Sequence, residues 1–178
     1  MKTMYILLLT ILTACSSCKE MDICKDESLT LNKVEFTGNQ LRTDGFYYGY
    51  VNTDFQGTEL YEVFIFYKNG VIMLPGTSEF EKMESYIITI ANSNHQNTKF
   101  VWGLYNIDVK KLSVEHWTAS QCGHPVLLRS GDILNDTTFV LKKEITRNSQ
   151  GTKELDINQE FHFRHFDIKP DSTNNFIK

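Results

Sequence analysis

Cysteine, histidine and carboxylate side chains are the groups of this sequence whose types and spacing could support chemistry. The run Cys122-Gly123-His124-Pro125 sets a thiol two residues from an imidazole, but closeness in sequence does not supply the geometry of a reactive pair. In a strand over residues 161–166, His162 and His165 would face opposite sides, and a strand histidine paired with its neighbours is the favoured interpretation over a ligand or general base. The sequence has no G-x-S-x-G, Walker or dinucleotide-binding motif. We therefore predict that the protein is not an enzyme and needs no cofactor.

The cysteine at position 15 has the clearest chemical context. The chain begins MKTMYILLLTILTAC, in which Lys2 precedes an apolar stretch, Met4 to Leu12, and two small residues precede Cys15. This is the order of an export signal, and the stretch is too short for a membrane-spanning helix of roughly 20 residues. Leu12-Thr13-Ala14-Cys15 resembles the lipobox of bacterial lipoproteins, which implies cleavage after residue 14 and acylation of the Cys15 thiol. The alternative is a plain secretory signal that ends near a cysteine.

An acylated Cys15 would attach the mature chain to a membrane, because several acyl chains together give stable anchoring. We predict an outer-membrane lipoprotein, with orientation toward the periplasm or the cell surface left open. Residues 1–14 form the predicted signal peptide, residues 15–35 a polar, flexible tether, and residues 36–178 one folded domain. The net charge is −4 and no basic cluster occurs, which argues against a nucleic-acid partner.

Three further cysteines, Cys18, Cys24 and Cys122, would lie in an oxidising compartment. Their spacing matches no zinc motif, so no metal site is predicted. A Cys18–Cys24 bridge would close only the tether, whereas a bridge to Cys122 would fix the tether to the domain. We favour no bridge or the short one.

The predicted domain is rich in aromatic, β-branched and turn residues, which is typical of an antiparallel all-β fold. Asn69-Gly70 predicts a two-residue type I′ turn between strands 60–68 and 71–74. Apolar residues at three- and four-residue steps predict one helix, Glu79 to Asn92, behind a Ser78 cap. Further strands are expected at 46–52, 100–107, 112–118, 126–129, 133–134, 138–146 and 155–168, with a turn at Ser130-Gly131. Eight to ten strands with one helix predict a closed or nearly closed barrel.

Several blocks of the sequence resemble a group of uncharacterised lipoproteins of Bacteroides-type bacteria with lipocalin-like barrels. Gly45-Phe46-Tyr47 lies where a lipocalin has Gly-x-Trp, with tyrosine in place of tryptophan. The resemblance implies a lipocalin-like β-barrel with a small apolar ligand in its mouth, and it brings no catalytic residues. The blocks are Leu41-Arg42-Thr43-Asp44-Gly45-Phe46-Tyr47-Tyr48, Phe66-Tyr67-Lys68-Asn69-Gly70, Trp102-Gly103-Leu104-Tyr105-Asn106-Ile107, Gly131-Asp132-Ile133-Leu134-Asn135-Asp136-Thr137-Thr138-Phe139 and Lys169-Pro170-Asp171-Ser172-Thr173-Asn174.

Aromatic side chains are the main candidates for ligand contacts, since they could line a pocket for an apolar or sugar-like molecule. The alternative is that they only fill the core. Glu115 joins the candidates because an inward-facing carboxylate would have a raised pKa; otherwise it lies on a solvated strand face. A ligand carrier would have an empty lumen, whereas a structural or assembly component would have a filled one and an exposed apolar patch. The ligand-binding candidates are Tyr48, Phe64, Trp102, Tyr105, Glu115 and Trp117.

Overall fold

A computed structural model describes residues 24–121 and 123–178, and these residues form a closed antiparallel barrel of eight strands. The predicted signal peptide and Cys15 lie outside the described residues. Within the described residues, one α-helix, α1 (Met83–Ala91), follows the third strand and is flanked by short 3-10 turns. The strands are β1 (Gly45–Thr53), β2 (Glu59–Phe66), β3 (Val71–Ser78), β4 (Trp102–Asp108), β5 (Lys111–Trp117), β6 (Val126–Asn135), β7 (Thr138–Asn148) and β8 (Gly151–His165).

Each strand pairs with its neighbours in sequence, and β8 returns to pair with β1. The β2–β3, β4–β5 and β6–β7 turns therefore meet at one end of the barrel, which we call the lower end. The β1–β2 loop, the segment with α1, the β5–β6 loop and the β7–β8 turn meet at the upper end. The predicted barrel is confirmed.

Alternation along the strands separates two apolar cores, one inside the barrel and one on its outer wall. On β2, Phe64 and Phe66 point into the lumen, while Val63 and Ile65 point outward. The outward residues are buried because α1 packs over them through Met83 and Ile87. A strand buried on both faces explains why β2 is apolar at successive positions rather than alternating with polar residues.

Residues 26–42, which we call the strap, run from the upper end to the lower end along the outer wall. At the upper end the backbone N–H of Glu27 donates to the His124 carbonyl at 3.1 Å. At the lower end the N–H of Phe36 donates to the Lys68 carbonyl at 2.7 Å, and Leu41 joins the lumen core. From Asp26 onward the predicted tether is thus bound to the barrel. Cys24 is disulfide-bonded, so the prediction of no bridge is wrong.

The β2–β3 hairpin is confirmed, but its turn is not type I′. That turn needs positive φ at both central residues, and Val109 is the single non-glycine residue with positive φ in the described part of the chain. Instead the N–H of Gly70 donates to the Tyr67 carbonyl at 3.1 Å, and the N–H of Tyr67 donates to the Val71 carbonyl at 3.0 Å. The loop therefore has three residues and ends at Gly70, whose φ is 81°.

Two other local predictions need correction. β6 is one continuous strand through Ser130 and Gly131, where a shift of register takes the place of the predicted turn. A Cβ on Gly131 would lie 1.8 Å from the Val140 carbonyl oxygen, so glycine is needed there for close strand approach. Ser78 belongs to β3, and its hydroxyl donates to the Glu79 carbonyl rather than capping the helix.

Candidate functional site

The six predicted ligand-binding residues do not converge on one site. Phe64 and Tyr105 lie in the lumen. Tyr48 and Trp102 belong to the outer-wall core beside α1, and the Trp102 indole N–H donates to the His95 carbonyl at 3.0 Å. Trp117 is also buried, and its indole N–H donates to the Glu27 carbonyl of the strap at 2.8 Å.

Glu115 points away from the lumen, yet it is fully buried, because the strap covers it. Its carboxylate accepts hydrogen bonds from the Thr30 N–H at 2.6 Å, the Thr30 hydroxyl at 2.8 Å and the Leu31 N–H at 2.7 Å. Nη2 of Arg147 forms an ion pair with Oε1 of Glu115 at 2.5 Å. Glu115 is therefore neither inward-facing nor solvated: it fixes the strap to the outer wall of β5.

The lower part of the lumen is filled by aromatic rings. Phe64, Phe139 and Phe161 form a triangle of nearly parallel rings, with centroids 4.7 Å, 4.9 Å and 6.1 Å apart and interplanar angles of 11° to 12°. Phe66 meets the Tyr105 ring edge-on at 4.8 Å. Rings at these separations are in van der Waals contact, so they leave no space for a ligand between them.

Above this stack the lumen holds three polar side chains, Glu62, His116 and Arg129. The Arg129 guanidinium donates to both carboxylate oxygens of Glu62, each at 2.7 Å, and lies 4.9 Å above the Phe64 ring. Its Nη2 is 3.4 Å from Nε2 of His116. Arg129 is 4% exposed, and its Nε has no hydrogen-bond partner among the described residues. The apolar lumen thus ends in a buried ion pair.

The charge states of this polar group follow from burial and from Arg129. Burial alone raises the pKa of Glu62, but the charge and hydrogen bonds of Arg129 outweigh it and lower that pKa below its ordinary value. For His116, burial and then the Arg129 charge lower the pKa to about 4. His116 is therefore neutral at pH 7, with its Nδ1 proton directed to the Trp117 carbonyl at 2.9 Å. All three groups stabilise one another, and no activated nucleophile is present among them.

A cleft on the outer wall combines aromatic and polar side chains. The β1–β8 ladder stops at the Tyr48–His162 pair, and beyond it a cleft of about 350 Å³ lies between the two strands. Tyr61 meets the rings of Tyr48 and Tyr50 edge-on at 6.1 and 5.9 Å. Asn158, Gln159, Glu160 and His162 supply the polar side.

Only some residues of these sites could be predicted from the sequence. The placement of His116 on the same strand face as Leu112 and Val114 indicates a lumen position, and Tyr48 was a predicted ligand residue. Nothing local distinguishes Glu62 or Arg129 from surface residues, because their pairing joins strands 67 residues apart in sequence.

Scans against protein-family models, curated proteins and solved structures returned no match. The fold itself defines the class: a small, closed, antiparallel β-barrel with a covered outer wall. Within residues 24–121 and 123–178, no three His, Cys, Asp or Glu side chains are grouped to hold a metal ion. No helix within these residues is long and apolar enough to cross a membrane.

Proposed function

We propose that this protein is a lipid-anchored, non-enzymatic binding protein of the bacterial outer membrane. The proposal of an anchor is supported by the order of charged, apolar and small residues before Cys15. The resemblance of the sequence to Bacteroides-type lipoproteins supports an outer-membrane location. The barrel fold is consistent with a lipocalin-like binding protein.

The binding site that we propose is the outer-wall cleft rather than the lumen. The stacked rings of Phe64, Phe139 and Phe161 carry this choice, because they occupy the space where a lipocalin-like carrier would hold its ligand. In the cleft, Tyr50 is 48% exposed and therefore accessible. Tyrosine faces beside amide, imidazole and carboxylate groups suit a small ligand with a flat apolar face and hydroxyl groups at its edge.

Probe titration of the lipid-free chain, begun at residue 16, tests the cleft. The probes are N-phenylnaphthylamine for an apolar ligand and maltotriose and diacetylchitobiose for sugars. Tyr50→Ala should weaken binding of the responsive probe about tenfold, a typical loss for one aromatic contact. Phe100→Ala is the matched control, because Phe100 is 40% exposed but lies away from the cleft. Equal losses in both variants, or no binding of any probe, would reject the cleft.

The anchor is tested separately by metabolic labelling with an alkyne analogue of palmitate. The wild-type chain should incorporate the label, and Cys15→Ser should not and should accumulate as an unprocessed or soluble form. Label retained by Cys15→Ser would show that residue 15 is not the lipidated position.

A second function, a structural component of an envelope assembly, is favoured by a different observation. Aromatic rings fill the lower lumen, and Phe55 at the tip of the β1–β2 loop is 95% exposed, so that its ring is available to a partner. Chemical crosslinking in cells would recover defined envelope proteins with the wild-type chain. If Phe55→Ser abolishes those products while probe binding is unchanged, the assembly role is the better description.

A further inference from the structure

The upper end of the barrel presents apolar side chains on an ordered frame. Phe55 sits in the β1–β2 loop, where the Asp54 carboxylate accepts hydrogen bonds from the N–H groups of Gln56 and Thr58 at 2.8 and 2.9 Å. The Asp54 N–H donates to the Thr58 carbonyl at 2.9 Å. The exposure of the Phe55 ring is therefore built into a stable turn rather than being the result of a loose loop.

Two other exposed apolar side chains lie on the strands that reach this end. Val51 of β1 is 42% exposed, and Leu155 of β8 is 50% exposed. We call Phe55 and these two residues the upper rim. The lower end also has exposed apolar residues, among them Val109 at 77% in the β4–β5 turn. Exposure alone thus does not say which end has a partner.

The path of the strap distinguishes the two ends. Asp26 contacts the β5–β6 loop, since its carboxylate accepts from the His124 N–H at 2.9 Å, and it pairs with Lys99 at 2.5 Å. A Cβ on Gly123 would lie 3.0 Å from the Cys24 carbonyl oxygen. The described chain therefore begins at the upper end, on the side of the barrel opposite the β1–β2 loop.

The chain length between the proposed anchor and this point is short. Cys24 lies nine positions after Cys15, and an extended chain spans at most about 3.3 to 3.6 Å per residue, or roughly 30 Å in total. An acylated Cys15 would hold the upper end within that distance of the lipid surface. To place the lower end against the lipid, the same chain would first have to run along the length of the barrel.

We infer that the upper rim is a membrane contact, with the Phe55 ring seated at the boundary between lipid headgroups and acyl chains. Phenylalanine and leucine side chains are typical of the apolar faces by which proteins bind that boundary. This inference rests on the proposed anchor at Cys15. It assigns the barrel a fixed orientation, upper end toward the bilayer.

Quenching by brominated lipids tests the contact with the full, lipidated chain in phosphatidylethanolamine and phosphatidylglycerol vesicles. Phe55→Trp and Val109→Trp place matched tryptophans at the two ends, and the buried Trp102 and Trp117 give the same background in both variants. We expect lipids brominated on the acyl chains to quench the tryptophan at position 55 several-fold more than the one at position 109.

Vesicle flotation, run first, separates the two ways in which this experiment can fail. A chain that does not float with vesicles contradicts the proposed anchor. A chain that floats but shows equal quenching at positions 55 and 109, or stronger quenching at 109, has an anchor and overturns the upper-rim contact.

Discussion

The lower and upper parts of the lumen are enclosed by the same eight strands but are stabilised in different ways. The lower part is an apolar stack in which the rings of Phe64, Phe139 and Phe161 contact one another pairwise. The upper part holds the Glu62–Arg129 pair, buried with His116. The stability of the stack depends on how completely the rings fill the space, because removing any ring leaves a cavity. The ion pair depends on partners, because a buried charge left alone has lost its hydration without compensation.

The largest effect is expected from breaking the ion pair on one side only. Arg129→Leu would leave the Glu62 carboxylate, whose side chain is only 16% exposed, without a counter-charge, and should lower the free energy of unfolding by about 4 to 5 kcal/mol. Chemical denaturation of the lipid-free chain at pH 7 measures it. The double variant Glu62→Leu/Arg129→Leu should recover much of the loss, since apolar replacement of a buried pair is often tolerated. A double variant no more stable than the single one would show that Arg129 acts mainly through packing on Phe64.

Removing one ring of the stack should have the next largest effect. Phe64→Ala is expected to cost about 4 kcal/mol through lost burial and the cavity that remains. It should also create binding of N-phenylnaphthylamine that the wild-type lumen lacks, because an apolar cavity accepts apolar probes. Phe55→Ala, at a fully exposed ring, is the control and should change stability little. The comparison is made in the Tyr50→Ala background, which removes most of the binding proposed for the cleft, and equal probe binding with and without Phe64→Ala would mean that the lumen already has open space.

Acidification should destabilise the protein through the titratable side chains of the upper lumen, because the rings of the lower lumen do not titrate. The pKa of His116 is lowered from 6.5 to about 4, so between these pH values the unfolded chain binds a proton that the folded chain does not. Stability should therefore be complete above pH 6.5 and fall by up to about 3 kcal/mol as the pH drops to 4. The lowered pKa of Glu62 acts in the same direction below its ordinary value of 4.5.

Denaturation midpoints across pH 4 to 7 check this dependence, with His116→Gln as the comparison. The variant should lose most of the slope between pH 6.5 and 4.5, because the remaining carboxyl groups titrate mainly lower. An unchanged slope would assign the acid sensitivity to other groups.

The contrast between the two parts of the lumen also explains what the sequence could predict. Strand alternation and turn residues are local, so the all-β barrel and the helix around Met83 and Ile87 could be predicted. The strap over Glu115 could not, because its hydrogen bonds link residues 85 positions apart. Glu115 shows the limit well: on a β-strand, a carboxylate facing away from the lumen is predicted to be solvated unless a distant segment covers it.

The same limit applies to the aromatic candidates. Phe64 and Trp102 have equal burial, both at 0% exposure, yet one fills the lumen and the other packs beside α1. Residue type indicated that both are buried. Only the closure of the sheet decides which side of the wall each one occupies.

The smallest effect concerns the closure of the lower end, where the strap passes over Gly70. A Cβ on Gly70 would lie 2.3 Å from the Val34 carbonyl oxygen, and the φ of Gly70 is +81°. Gly70→Ala therefore combines backbone strain with displacement of the strap, and should cost about 2 to 3 kcal/mol. Gly57→Ala is the matched control, because Gly57 has a φ of +85° but nothing within 4 Å of the added Cβ. It should cost only the strain, about 1 kcal/mol.

Thermal unfolding of the lipid-free chain measures both variants, and the difference between them reports how firmly the strap closes the lower end. Equal losses would mean that the strap moves aside freely, in which case the lower lumen depends on its rings alone.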